Sequence, residues 1–516
     1  MAFTSSSVES SSAERKNESS TGSPVASPSS DEAPASQSGD PVSPVTHTPE
    51  ELQALFDRQQ AYHRHVRSAP ADVRREKIRR IRDGVKARRQ TIKDALYADF
   101  RKASEEVDLT EVKAVVDEAD FALKHLDTWM APERASTPPL LMGTSSEIQY
   151  EPKGVSLVLS PWNYPFNLTL GPVIAAIAAG NSVIVKPSEF TPNSSQVMRE
   201  MVEELFDPRE LVVVEGAVDT AQALLDLPFD HFYFTGSPQV GKIVMRAAAE
   251  HLSSVTLELG GKSPAIVDAS ADVDDAAAKI AWGKFTNTGQ TCIAPDYALV
   301  HESHREAFIK RISHYIQQYY GDTPEARRST PDYARLVNNK HFGRVEALLS
   351  EAVEAGATVA FGGRTDAPSR YIEPTVLTDV PVHSRIMDEE IFGPILPVHT
   401  FRNLRDAIRR INEKPNPLAL YLFTKDEDAE STVLGQTRAG GSCINDVLLH
   451  YLNPNIPFGG AGHSGIGMGN GKYAFREFSH ARSVLRRSYG SKLMQYVYPP
   501  YSSMTRRMID AALKYF

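Results

Sequence analysis

At 516 residues, with 41% hydrophobic and 23% charged residues and a formal charge of −9, the chain has the make-up of a globular protein long enough for two or three domains. The acidic balance gives nucleic acid no electrostatic hold, and the only two cysteines, Cys292 and Cys443, argue against a disulfide framework and fit a reducing, cytoplasmic setting. The best apolar stretch, Val173 to Val185, is broken by Gly180-Asn181-Ser182 and is too short for a membrane span, and no basic-then-apolar N-terminal segment marks a secretory signal.

In chain order, residues 1–48 are Ser- and Pro-rich, with Ser-Pro steps at Ser23-Pro24, Ser27-Pro28 and Ser43-Pro44, and read as a disordered tail. Its acidic residues Glu9, Glu14, Glu18, Asp31 and Glu32 argue against a transit peptide. From Pro49 to His125 the pattern predicts long helices: Leu52, Leu55 and Phe56, then Ile78, Ile81 and Val85, recur at helical spacing. The interleaved Arg74, Arg75, Lys77, Arg79, Arg80 and Arg82 read as a solvated basic face. Leu126 to Tyr150 reads as a Pro-rich stretch followed by an alternating strand.

Gly154 to Leu159 is a continuous apolar run, the pattern of a parallel strand buried on both faces, and it leads into the loop Ser160-Pro161-Trp162-Asn163-Tyr164-Pro165. A helix over Leu170 to Ala179 and strands over Ser182 to Lys186 and Leu211 to Val214 continue a β-α-β rhythm, so an open parallel sheet with ligands at the strand C-termini is expected. Phe232 to Lys242 reads as strand, turn and helix. Its Gly236, Ser237 and Gly241 depart from the Gly-x-Gly-x-x-Gly fingerprint and by themselves are a weak phosphate signal. A second βα region follows from Thr256 to about Cys443, with apolar runs Ala265 to Val267 and Tyr297 to Val300, a helix from Arg305 to Tyr319, a hairpin-like connection from Phe361 to Pro374 and a polar element from Asp388 to Pro394. A Gly-rich run, Phe458 to Gly462, lies near the end, and no Cys/His spacing suits a metal site.

Chemistry points to Cys292. It follows Asn287-Thr288-Gly289-Gln290-Thr291, where the apolar Ile280-Ala281-Trp282 run gives way to turn-forming residues, as in a loop entering a cleft. A thiolate is a strong nucleophile when partly exposed beside a base or positive dipole, whereas a lone cysteine buried in a core is inert. Glu258 sits in the apolar Thr256-Leu257-Glu258-Leu259 run before two glycines, where a charge needs a reason. Cys292-Ile293-Ala294-Pro295-Asp296-Tyr297, with Val255 to Pro264 upstream, resembles the aldehyde dehydrogenase superfamily in its class 3 or fatty-aldehyde branch, over about residues 50 to 500.

The resemblance implies an α/β fold: a disordered tail over 1–48, a Rossmann-type cofactor-binding domain over 49–257 with β oligomerisation extension strands near 134–152, an α/β catalytic domain over 258–443, a return to the extension and active-site rim over 444–490, and a C-terminal tail over 491–516. It implies oxidation of an aldehyde to a carboxylic acid with NAD, or alternatively NADP. In that scheme Cys292 is the nucleophile, Asn163 with the Cys292 backbone N–H the oxyanion donors, and Glu258 the base that hydrolyses the thioester. Lys186 and Glu189 match adenosine-ribose contacts, Glu390 with Phe392 the nicotinamide-ribose contact, and Gly236, Ser237 and Gly241 the pyrophosphate turn. Tyr164, Phe458 and the His450-Tyr451-Leu452 segment match the substrate entrance, whose apolar character suits medium- or long-chain aliphatic, aromatic or isoprenoid aldehydes. A homodimer is implied. The tail, with Met508, Ile509, Ala512, Leu513 and Phe516 on one helical face, suggests an interfacial helix and a peripheral location on an intracellular membrane or lipid droplet, or else a helix packed on the protein. A thiol hydrolase and a catalytically silent binding protein of the same fold are the alternatives.

Overall fold

The structure, a computed structural model, describes residues 47–138, 141, 143–489 and 498–515. The Ser/Pro-rich tail, except its last two residues, the start of the C-terminal tail and Phe516, expected on the tail's apolar face, lie outside these. The described residues form three main sheets. The first contains β3 (Val155–Leu159), β4 (Ser182–Lys186), β5 (Leu211–Val213), β6 (His231–Gly236), β7 (Ser254–Leu259) and β17 (Gly465–Ile466), in the order β17-β7-β6-β3-β4-β5. All neighbours are parallel except β17 against β7. The order reverses between β3 and β6, which creates a switch point where a crevice opens at the strand C-termini.

The second sheet contains β8 (Pro264–Val267), β9 (Tyr297–His301), β10 (Thr358–Phe361), β13 (Thr375–Thr378), β14 (Ile395–Phe401), β15 (Ala419–Phe423) and β16 (Gly441–Ile444), in the order β10-β13-β14-β9-β8-β15-β16. The chain changes sheets at Gly260 to Ser263, just beyond β7. The hairpin-like connection is the antiparallel pair β11 (Thr365–Asp366) and β12 (Tyr371–Ile372). The third sheet, β1 (Glu133–Ala135), β2 (Thr144–Pro152) and β18 (Ser479–Arg487), is antiparallel, and β2 and β18 pair along nine residues from Ser479↔Pro152 to Arg487↔Thr144. No helix among the described residues is long and apolar enough to cross a membrane.

Among the described residues five helices precede β2: α1 (Pro49–Arg67), α2 (Ala71–Ala87), α3 (Arg89–Phe100), the short α4 (Ser104–Val107) and α5 (Lys113–Met130), with a π-helical turn at Asp108–Val112 between the last two. Thr48 and Glu51 close a capping box on α1 and so satisfy two of its free N–H groups. Helix α5 runs beyond the expected boundary, because Val115, Ala119, Ala122, Leu126 and Trp129 continue the buried stripe; Leu126 is a core residue and does not begin a Pro-rich coil.

Helix α6 (Asn167–Ala179) is apolar nearly all round and buried between α2, α5 and β3, each fully buried Val, Ile or Leu contributing roughly 1.5–3 kcal/mol. It ends at Gly180, whose φ of 94° is left-handed. Here the expectation of a solvated basic face fails for Arg74. Its side chain is buried and donates to the carbonyls of Ala178 (2.9 Å), Ala69 (3.0 Å) and Arg67 (3.1 Å), capping the end of α6. A Cβ on Gly180 would lie 2.7 Å from that guanidinium. The position was legible: residues 74, 78, 81 and 85 share one helical face.

Candidate active site

Cys292 lies on the loop between α10 (Val273–Phe285) and β9. A short 3-10 turn, Thr286–Gly289, follows α10, and Asn287, Thr288 and Gly289 adopt left-handed φ values of 52°, 57° and 72° in succession. For the two non-glycine residues that conformation is costly and persists only where surrounding contacts determine it. Those contacts are hydrogen bonds. Gln290, fully buried, donates from Nε2 to the carbonyls of Asn287 and Arg335, both at 3.0 Å, and accepts from the Val337 N–H at 3.0 Å. Gly289 presses against Gly393, whose carbonyl would stand 2.3 Å from an added Cβ.

Asn163 leaves the C-terminal end of β3 and is buried against this turn. Its Nδ2 donates to the Gln290 carbonyl at 3.0 Å, and its own carbonyl accepts from Asn287 Nδ2 at 3.0 Å. One Asn163 hydrogen is thereby used for placement and the second remains for a ligand oxygen. The Tyr164 hydroxyl meets Thr291 Oγ1 at 2.7 Å and its ring lies beneath the Lys102 ammonium at 3.8 Å; this entrance candidate thus also braces the turn that carries Cys292.

Glu258 projects from the end of β7. One carboxylate oxygen accepts from the Tyr233 hydroxyl at 3.4 Å, the Gly469 N–H approaches the same carboxylate, and Oε2 is buried without a partner. Burial raises its pKa to about 8, the negative Glu477 adding to the effect and the Tyr233 and Gly469 contacts opposing it. Burial also raises Glu390 to about 8, with Asp296 adding to it and the Gly261 N–H, Arg344 and Lys262 opposing. Its carboxylate occupies the space beside Gly260, where a Cβ would lie 2.0 Å from Oε2. The half-buried Cys292 thiol is pushed well up, first by burial and then by Glu390 and Glu258, although the N–H groups of Cys292 and Ile293 favour the thiolate. Aromatic walls complete the surroundings: Tyr421, whose hydroxyl donates to the Ile293 carbonyl at 2.5 Å, Tyr451, bonded to Asn167 Oδ1 at 3.0 Å, and Phe458, edge-on to Tyr451 with ring centroids 4.9 Å apart.

The remaining candidates gather at the C-terminal edge of the first sheet. Buried Lys186 ends β4 and donates to Glu189 Oε2 at 3.2 Å. Gly236 ends β6, and Ser237 caps α9 (Pro238–Glu250) by accepting from the Val240 N–H at 3.4 Å. Gly241 lets α9 approach β7, since a Cβ there would stand 2.8 Å from Leu259 Cδ2. Phe392 has a φ of 46° and meets Trp162 edge-on at 5.3 Å.

A profile of the aldehyde dehydrogenase family matches residues 27–484. The chain belongs to that family. It is 43% identical over 451 residues to the 4,4'-diaponeurosporen-aldehyde dehydrogenase of Staphylococcus aureus, spanning 87% of this chain and 96% of that protein. It is equally 43% identical over 445 residues to aldehyde dehydrogenase family 3 member A2 of Rattus norvegicus, spanning 85% and 89% of the two chains. Among solved structures it resembles the substrate-bound state of Staphylococcus aureus AldH, with a TM-score of 0.86 and 42% identity over 90% of this chain and 99% of that one. An NAD+ complex of a Bacillus cereus aldehyde dehydrogenase is similar at a TM-score of 0.77 and 28% identity, covering 85% and 89%. This aldehyde dehydrogenase oxidises aldehydes with NAD(P).

Several residues of the dehydrogenase's site escaped the sequence reading. Tyr233 and Glu477, around Glu258, resemble ordinary core and helix residues, and Tyr421 resembles any buried aromatic. Lys102, Glu106 and Glu111 carry the pattern of a solvated helix. Only the cluster of three ionisable residues beside apolar Val107 and Val112 could have drawn notice.

The turn geometry gives a direct test. Gly289→Ala adds a Cβ against a backbone oxygen at a left-handed φ, so it should displace Cys292 and lower aldehyde-dependent NADH production by more than about tenfold, since a 1 Å misplacement can cost about 10². Full activity in this variant would show that the turn is not held as described.

Proposed function

We propose that Cys292 is the nucleophile, Asn163 the side-chain oxyanion donor and Glu258 the general base of aldehyde oxidation in this chain. The observation that carries the reading is the meeting, around one thiol, of a carboxamide with one hydrogen uncommitted and a buried carboxylate with one oxygen unpartnered. The sulfur adds to the aldehyde carbon and the thiol proton passes to a base. The oxyanion of the hemithioacetal is held by Asn163 Nδ2 and the Cys292 N–H; losing one such donor typically costs about 10²–10³ in rate. NAD(P) supplies the acceptor for the hydride. Glu258 then takes a proton from water as its oxygen attacks the thioester carbon, and the C–S bond breaks to give the carboxylic acid and regenerate the thiol. The balance is aldehyde, water and NAD(P)+ to acid, NAD(P)H and one proton.

The residues at the crevice fit the cofactor. Helix α9 begins there and turns the positive end of its dipole to the crevice, which suits a pyrophosphate, while Lys186 can donate to ribose hydroxyls and Glu189 can accept from them. Glu189 would repel a 2′-phosphate, which favours NAD over NADP. Glu390 with Phe392 is assigned to the nicotinamide ribose. Tyr421, Tyr451 and Phe458 around Cys292 favour a hydrophobic aldehyde, medium- or long-chain aliphatic, aromatic or isoprenoid, with Tyr164 and Phe458 as walls. The similarity to a relative named for 4,4'-diaponeurosporen-aldehyde points the same way. We place the enzyme in the cytoplasm, peripherally on an intracellular membrane or lipid droplet.

A homodimer is supported by strand edges and by an apolar helix face. Neither β16 nor β18 has a partner strand on its outer side among the described residues, and Val240 and Ile243, neighbours on one side of α9, are each more than 40% exposed. Light scattering at micromolar concentration should give twice the chain mass, and a monomer removes the claim. In the C-terminal helix, Ser503–Tyr515, Met504, Met508, Ile509 and Leu513 are exposed along one side while Arg506 and Arg507 lie on the other. Such a helix suits reversible attachment to an anionic membrane surface. Full-length protein should float with anionic vesicles and a version truncated after Pro500 should not; equal behaviour of the two eliminates the tail as the anchor.

Kinetics test the chemistry. Cys292→Ala should abolish turnover with NAD binding intact. Glu258→Gln should keep the first burst of NADH but slow the steady state. Because the native Glu258 acts as a base only when ionised and its pKa is raised to about 8, deacylation-limited kcat should climb with pH through about 8 and level off above it. In a panel of saturated aldehydes, kcat/KM should increase with chain length. Turnover by Cys292→Ala, equal loss of burst and steady state in Glu258→Gln, or a flat chain-length profile would each sink the corresponding assignment.

A further inference from the structure

Three charged side chains that the mechanism does not use lie beneath the site. Lys102 and Glu111, both fully buried, form an ion pair at 2.8 Å. Glu111 Oε2 also accepts from the N–H groups of Phe166 and Asn167 at 3.1 and 3.0 Å, satisfying donors at the start of α6. The Lys102 ammonium lies 3.5 Å from the Asn163 carbonyl and over the Tyr164 ring. Glu106 accepts from the Asn287 N–H, at 3.0 Å to Oε2 and 3.3 Å to Oε1, at the start of the left-handed turn. From there Asn287 Nδ2 reaches the carbonyls of Asn163 (3.0 Å) and Gln290 (3.1 Å).

The π-helical turn explains how Glu106 and Glu111 both reach this place. In an α-helix, residues five apart are rotated about 140° from one another. Hydrogen bonding from i to i+5 winds the chain more slowly and brings them towards one side, here the side of Lys102. Buried ion pairs seldom add net stability compared with well-packed apolar groups, so two carboxylates and an ammonium at this point call for another use.

We propose that Lys102, Glu106 and Glu111 are positioning residues that hold the Asn163 loop and the Asn287–Cys292 turn in register, with Glu106 as the tie to the turn. Glu111 and Lys102 fix the Asn163 side of the register and Glu106 the cysteine side. Loosening the tie lets two strained residues, five and four positions before the sulfur, relax and shifts the Gln290 carbonyl that orients the Asn163 amide. The consequence falls on the addition step, while cofactor and aldehyde affinity stay nearly unchanged. This rests on the roles of Cys292 and Asn163 given above.

The test compares full-length Glu106→Ala, which removes the acceptor, with Glu106→Gln, which keeps an acceptor oxygen and loses the charge, alongside Cys292→Ala. Burst rate, kcat, KM for the aldehyde, NAD affinity and thermal midpoint are measured for each. Glu106→Ala should lose about tenfold to a hundredfold in burst rate and in kcat/KM for the aldehyde with NAD affinity within about twofold, and Glu106→Gln should recover most of that loss. Unchanged rates in Glu106→Ala, equal losses in the two variants, or a loss that follows NAD affinity overturns the proposal. If Glu106→Ala does not fold, Glu106→Asp against Glu106→Gln decides: the shortened side chain should be the slower, and equal rates overturn the proposal. Turnover by Cys292→Ala would instead overturn the reading on which this one rests.

Discussion

Exclusion of water governs the chemistry of this site more than any single contact. Cys292, Glu258 and Glu390 share a region where burial disfavours charge, so all three are shifted towards their neutral forms, and each carboxylate pushes the thiol further the same way. The backbone N–H groups of Cys292 and Ile293 work in the opposite direction but do not outweigh burial. The same dry environment makes fixed donors worth more than in water, which supports the oxyanion role proposed for the one uncommitted carboxamide hydrogen of Asn163.

The fold creates that environment by bringing different strand ends and loops to one place. β3 delivers Asn163, β7 delivers Glu258, the loop before β9 delivers Cys292, and the segment before β14 delivers Glu390. Glycines permit the approach where side chains would block it: Gly260 beside the Glu390 carboxylate, Gly289 against the Gly393 carbonyl. The polar residues at β6 and β7 continue away from the site, because residues two apart on a strand share a face. Thr256 thus lies on the same face as Glu258 and donates to Glu477 at 3.0 Å, and His231 meets Thr256 at 3.3 Å. Glu258 therefore ends a buried polar line within an otherwise apolar sheet.

What could be read in the sequence and what could not divides along physical lines. Strands β3 and β4 and the changes from strand to helix were legible because buried parallel strands leave continuous apolar runs. The short β1, the extension of α5 to Met130 and the burial of Arg74 were not read, although the shared helical face of residues 74, 78, 81 and 85 carried the signal for Arg74 and the stripe from Val115 to Trp129 that for α5. Cys292 and Glu258 stood out as anomalies, a thiol after a turn and a charge in an apolar strand. Lys102, Glu106 and Glu111 did not, since a charged helix looks alike whether it faces water or protein. Their orientation depends on a π-turn, and an i to i+5 hydrogen-bond pattern has no periodic signature in a stretch of five residues.

The raised pKa of Glu258 has two effects that must be weighed together in its proposed role. At pH 7 a carboxyl group with a pKa of about 8 is ionised only in a minor fraction of molecules, of the order of a tenth. The ionised fraction, however, is a far stronger base than an ordinary carboxylate, because the shift from 4.5 to about 8 raises its proton affinity by more than three orders of magnitude. General-base catalysis gains when the pKa approaches the working pH, so a loss of one order in population is exchanged for a larger gain in proton-transfer driving force. A carboxylate left in water would be fully ionised yet too weak to draw a proton from the attacking water. Burying it in an apolar strand makes it a competent base near neutral pH, and the two neighbouring donors, Tyr233 and Gly469, keep the shift from going so far that the ionised form disappears.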